Sequence, residues 1–149
     1  MTALTPAELE RLWTTNLPSI DDHQERVEAI TERGLRARFP FKPAHIGVDV
    51  WNDTGAPVFS GPMVMGFADK VMYGCLHAHL GRGILGVMVN IGLTFLRPAQ
   101  ATDLIAEARL VRLGKRHAYL EAYLYSDGDD EPIAHATSTH SIVRRASPA

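Results

Sequence analysis

The stretch GPMVMGFADKVMYGCLHAHL, residues 61–80, constrains the fold more than any other part of this sequence. Its apolar residues nearly encircle a helical projection, so a helix here must be enclosed on most sides. Ser60-Gly61-Pro62 gives the start signal, with proline at the first helical position, and Gly81-Arg82-Gly83 marks the stop after about Leu80. Everything after Gly83 reads as sheet. ILGVMVNIGLTFL places Leu85, Val87, Val89, Ile91, Leu93 and Phe95 on one face of a strand. DLIAEARLVRL and RHAYLEAYLYS meet at Gly114-Lys115, a short hairpin signal. SDGDDE makes the next turn, and PIAHATSTHSIV closes the set. Within RHAYLEAYLYS, Ala118, Leu120, Ala122 and Leu124 alternate with His117, Tyr119, Glu121, Tyr123 and Tyr125. Several inward candidates are small (Ala106, Ala108, Ala118, Ala122, Ala134, Ala136), which lets a thick helix lie close to the sheet. The pattern predicts an α+β architecture, one antiparallel sheet wrapped around one long central helix over a single core.

The residues before this unit predict a helical extension. Thr5, Pro6 and Glu8 form a capping-box start for LTPAELERLWTTN. SIDDHQERVEAITERG reads as a second helix, with Ile20, Val27 and Ile30 on one side and Gly34 as its stop. RFPFKP breaks the chain, and AHIGVDVW has strand composition, which brings the strand count to about five. The expected division is a helical extension over 1–43 and the main domain over 44–149.

Composition bounds the function. The 149 residues suit one domain. Fifteen basic against seventeen acidic residues, net −2, announce no basic face and argue against a nucleic-acid partner. Cys75 is the only cysteine, which excludes an intramolecular disulfide and any site needing two thiolates. The start, MTALTPAELERLW, lacks the basic and apolar regions of a signal peptide, and no run approaches the roughly 18 apolar residues of a membrane span. A soluble cytoplasmic protein is expected, with no membrane partner. The seven histidines form no metal-ligand pattern: His77 and His79 project to different helix faces, His135 and His140 to opposite strand faces. No metal and no cofactor is expected.

Three stretches resemble one family. GFADKVM on the helix, VNIGLTFLRPA at residues 89–99, and the last three strands together are similar to the hotdog-fold acyl-CoA thioesterases, in particular the phenylacetate-pathway type. The resemblance spans roughly residues 44–143. It implies a hotdog fold, thioester hydrolysis, and a homodimer or dimer of dimers whose active sites are shared between subunits. The chain departs from the family at Ser60-Gly61-Pro62, where His-Gly-Gly is usual, and at Met88, where serine or threonine is common. Asn52-Asp53-Thr54-Gly55 matches the family's Asn-x-x-Gly, followed by a loop about two residues longer.

Thioester hydrolysis needs an attacking water or carboxylate, and donors where the carbonyl oxygen becomes negative. A helix N-terminus supplies such donors. Pro62 has no N–H, so Gly61 N–H is the best single candidate, and the family's matching glycine has that role. Asp69 is the lone carboxylate of the helix, eight residues on, about 12 Å at 1.5 Å per residue. That is too far for contact with an oxygen held at Gly61 of the same chain; the resemblance implies that the aspartate acts from a partner subunit. Apolar neighbours such as Met65 and Met72 should raise its pKa, which suits a base near neutral pH. Asp69 reads either as that base or nucleophile, or as a solvated carboxylate beside Lys70. Gly66, Asp69, Tyr73 and His77 share one face, an active-site lining or the helix's one wet strip. Ser60 either donates to the substrate or caps the helix. Asn52 either binds the carbonyl oxygen or a water, or makes an ordinary turn. Met65, Phe67, Met72 and Met88 are candidates for an acyl pocket or for plain core. Arg97, Arg109, Arg112, Lys115 and Arg116 cluster in two loop regions that in relatives lie near the CoA phosphates; the other reading is solvated loop charge. An acyl-CoA, or another acyl thioester, is the expected substrate. Two further functions fit the same fold: a non-catalytic acyl-CoA binding module, and an enoyl-thioester hydratase or dehydratase.

Overall fold

A computed structural model describes residues 3–17, 24–47 and 57–144. Helix α1 (Pro6–Asn16) starts at the expected capping box: Thr5 accepts from Glu8 N–H, and the Glu8 carboxylate accepts from Thr5 N–H at 2.8 Å. Helix α2 runs Gly61–Leu80, with Pro62 in its first turn and Gly81 (φ 78°) as its C-cap. Six strands follow one another as β1 (Arg26–Ile30), β2 (Gly34–Phe39), β3 (Ile84–Phe95), β4 (Leu104–Leu113), β5 (His117–Ser126) and β6 (Ala134–Arg144). They form one antiparallel sheet in the order β1-β2-β4-β5-β6-β3. This is the hotdog arrangement: the sheet's inner face carries α2.

The packing follows from residue size. Ala106, Ala118, Ala122, Ala134 and Ala136 are all buried on the inner face, between Leu104, Leu120 and Leu124. β5 alternates along its whole length as its sequence predicts. The helix's C-terminal half is covered by α1, whose Trp13 is 1% exposed and lies so close to Gly74 that a Cβ there would sit 2.6 Å from the indole. The α1 segment is tied down further by Ala3 and Leu4 N–H, both donating to Ala78 O.

Three expectations are corrected. The second helix expected over 19–34 is absent among the described residues: Arg26–Ile30 and Gly34–Phe39 are a β-hairpin whose second strand pairs with β4. Pairing along β4 and burial of Leu35, Ala37 and Phe39 override the helical spacing of Val27 and Ile30. The strand expected at 44–51 is also not found where it can be described. Pro43–His45 is a 3₁₀ turn and Ile46 makes a single bridge to Phe59; residues 48–51 lie outside the described set. The sheet therefore has six strands, and the extra ones come from the amino-terminal segment. Third, β3 does not keep one face. A bulge between Met88 and Asn90 switches its register. Leu85 and Val87 point outward before it, while Ile91 and Leu93 pack on the core after it.

Candidate active site

The start of α2 is held from below. Phe39, His45, Phe59 and Phe67 stack in one aromatic cluster, with Phe39 and His45 centroids 4.8 Å apart. Ser60 N–H donates to His45 O at 2.7 Å and Phe59 N–H to Ala99 O at 2.9 Å, so the helix leaves from a pinned segment. Ser60 occupies the N-cap, yet its side chain makes no capping hydrogen bond. Of the first amides, Val64 N–H donates to Ser60 O and Pro62 has none, which leaves Gly61 and Met63 N–H without a helical partner. The ring of Phe95, at the end of β3, lies beside Gly61, 3.6 Å from where a Cβ would stand.

From Pro62 to Tyr73 the helix borders a cleft of about 390 Å³. Met63, Phe67 and Phe39 give it apolar walls, and Asp69 and Lys70 stand in it. Asp69 reaches solvent in the single chain, but the packing around its carboxyl leaves it under-solvated, which pushes its pKa up; nearby Lys70 pulls the other way and is the lesser effect. Lys70 Nζ is 2.6 Å from Glu25 Oε1, a partner 45 residues away whose side chain is 7% exposed. Sequence reasoning missed Glu25. The usable signal was the LRARF alternation over 35–39, which predicts a strand and so a tight fold of the preceding segment onto α2.

The sequence-predicted residues separate into groups. Gly66, Asp69 and Tyr73 share the cleft, whereas His77, on the same helix face, is buried beneath α1 and stacks on Tyr73 at 4.4 Å. The stripe is therefore not wet along its length. Phe67 lines the cleft; Met72 is fully buried core, Met65 is exposed on the helix, and Met88 is half-buried on β3 beside the bulge. Arg97 is engaged by Asp129 at 2.6 Å and by Glu131. It does not meet Lys115 and Arg116 within one chain. Phe95 and Leu124 both pair with Ala134, whereas His117 pairs with Ser141, which puts the Lys115-Arg116 hairpin at the other end of the strands, roughly 20 Å away. There Arg112, Lys115 and Arg116 are exposed around a groove of about 260 Å³. Asn52 lies outside the described residues. Among the described residues no three His, Cys, Asp or Glu side chains gather as metal ligands, and no helix is long and apolar enough to cross a membrane.

A hotdog sheet around a helix whose open N-terminus borders a cleft holding the Asp69 carboxylate has the layout of a thioesterase-type protein. The sequence model of the Thioesterase superfamily matches residues 56–133, more than half of the chain, and the chain belongs to that superfamily, a class of thioester hydrolases. Among solved structures it is similar to a candidate thioesterase of Silicibacter sp. TM1040, with 28% identity, 96% of this chain and 94% of that one covered, and a TM-score of 0.79. A thioesterase of Haemophilus influenzae (16% identity, 95% and 92% covered, TM-score 0.79) and zebrafish thioesterase superfamily member 2 (17%, 93% and 98%, 0.75) share the fold. No curated protein matches the sequence.

Proposed function

We propose that this chain is a cytoplasmic acyl-CoA thioesterase in which Asp69 drives attack on the thioester carbonyl. The observation that supports it best is the Asp69 carboxylate, its pKa raised by desolvation, in an apolar cleft that begins at the open end of α2. Gly61 N–H is the donor for the carbonyl oxygen, at the positive end of the helix dipole, with the Ser60 hydroxyl and Asn52 as further donors. Asp69 either removes a proton from water as it attacks, or attacks directly to give an acyl anhydride that water then opens. Both routes release CoA as a thiol and a free carboxylic acid. The cleft, with Tyr73 and Phe67, takes an uncharged acyl group, because its one Lys70 cation is already matched by Glu25. In a site shared between two copies, Arg112, Lys115 and Arg116 of one chain and Arg97 of the other serve the CoA phosphates. Met88 borders the acyl end from β3.

Gly61 and Asp69 stand eight residues apart on one helix, so a complete site takes one residue from each of two copies. The edge strand β3 supports a homodimer: it offers unpaired backbone groups, with Leu85, Val87, Val89 and Phe95 each at least 40% exposed. A dimer of dimers is consistent with the same edge. Incubating the protein with a panel of acyl-CoAs and a thiol reagent tests the chemistry, and light scattering tests the assembly. The expected result is thiol release by a dimer or tetramer, abolished by Asp69→Asn with folding intact. Binding without release favours the non-catalytic module, whose supporting observation is Pro62 removing one amide from the helix start. Hydration of an enoyl thioester without release favours the hydratase.

A further inference from the structure

Lys70 follows Asp69 in α2 and lines the same cleft. Its side chain is 14% exposed and its Nζ is 2.6 Å from Glu25 Oε1. Glu25 comes from the segment ahead of β1, and its other oxygen, Oε2, is buried with no hydrogen-bond partner. A pair of this kind is expensive: apolar residues of similar volume often stabilise as well or better, and burial of two charges is repaid only in part. Packing alone does not ask for it.

The chemistry of the cleft does. Among the described residues its ionisable groups are Glu25 from the segment ahead of β1 and Asp69, Lys70 and Tyr73 from α2; β2 contributes Phe39 and the end of α1 contributes Leu17, neither of them charged. An ammonium in a poorly solvated cleft acts on a neighbouring carboxylate across several ångströms. Matched by a carboxylate 2.6 Å away, it presents a short dipole, whose field falls off faster than that of a single charge.

We propose that Glu25 is a positioning residue for Asp69: it engages Lys70 as half of a neutral pair and keeps the ammonium's charge off the reacting carboxylate. The proposal rests on the reading that Asp69 carries the chemistry.

Charge bookkeeping gives the test a signature that a purely structural pair lacks. Glu25→Gln leaves the Lys70 charge without its Glu25 counter-charge, so the acidic limb of the kcat/KM profile moves to lower pH by about half a unit or more. Lys70→Met leaves the Glu25 charge in the cleft, and the limb moves to higher pH. The double variant Glu25→Gln, Lys70→Met returns it to the parent position. Lost packing would change the amount of folded enzyme, but not the midpoint in opposite directions. The assay is a pH–rate profile on the fastest acyl-CoA of the panel, with melting temperatures alongside. If Glu25→Gln does not fold, Lys70→Met and the milder Glu25→Asp carry the test. Asp69→Asn separates the two ideas: activity within about threefold of the parent removes the catalytic reading of Asp69. If Asp69→Asn is inactive and the single variants keep the parent midpoint, the role given to Glu25 is overturned.

Discussion

Acid should unfold this protein through one histidine on the inner face of β6. His140 is 1% exposed, its Nδ1 is 3.3 Å from Ser138 Oγ, and its Nε2 is buried with no hydrogen-bond partner. Burial, with His77 adding to it, pushes its pKa down from 6.5 to about 4. Between those two values the unfolded chain binds a proton that the folded chain excludes. Stability from this group is therefore whole above about pH 6.5 and is lost as pH falls toward 4. At pH 5 the site costs about 2 kcal/mol relative to pH 7.5, from roughly 1.4 kcal/mol per pK unit over the part of the shift already crossed. The carboxylates held below their ordinary range, Glu8, Glu121, Asp127 and Asp129, lose their contribution as pH falls through their ordinary values of 4.5 and 3.8, so mostly below pH 5. The assay is urea unfolding at pH 7.5 and pH 5 on the parent and on His140→Gln. The variant starts less stable but loses about 2 kcal/mol less on acidification. Equal losses in the two proteins would refute the argument and place the acid sensitivity elsewhere.

Two glycines of α2 should respond oppositely to alanine. Gly74→Ala drives a methyl into the Trp13 indole, which is too rigid and too enclosed to yield, so α1 must shift at a cost of about 1–3 kcal/mol in chemical denaturation. Gly66→Ala meets nothing within 4 Å and should gain about 0.5–1 kcal/mol in the same measurement, since alanine is the better helix residue. Ser60→Ala removes a hydroxyl that makes no capping bond, so the melting temperature should stay put. With the hydroxyl as a thioester donor, kcat should fall by about 10²-fold with KM little changed.

What the sequence made legible was set by whether a local period was the quantity that mattered. β5 is buried on one fixed face, so its period appears directly in the residues, while α2 is apolar on most sides and is read from that run and from its Pro62 start and Gly81 stop. β1 was lost because Val27 and Ile30 stand at helical spacing, while its fate is decided by β2, whose own partner β4 lies some seventy residues on. The clue was present in Leu35, Ala37 and Phe39 alternating with Arg36 and Arg38, since the two arginines both reach Glu28 across the hairpin. β3 reads as a single alternating strand, but its bulge at Val89 is invisible to period counting and changes which residues meet the core. Strand order is equally silent: β3 precedes β4 in the chain yet pairs with β6, which makes it an edge.

The site divides along the same line. As candidates, Asp69 and Gly61 stand out because each violates its surroundings, a carboxylate in an apolar helix and a bare backbone at a proline-led start. Glu25 violates nothing locally; DDHQERVE is an ordinary charged run. Its character is created by folding, when the hairpin brings it against Lys70 and the surroundings become dry enough for charge to matter. The same desolvation raises the Asp69 pKa and makes an unmatched Lys70 costly. On the proposed role of Asp69, Glu25 is a counter-charge for the neighbouring lysine that arrives only with the fold, which ties the amino-terminal segment to α2 in a way that has no counterpart in residue spacing.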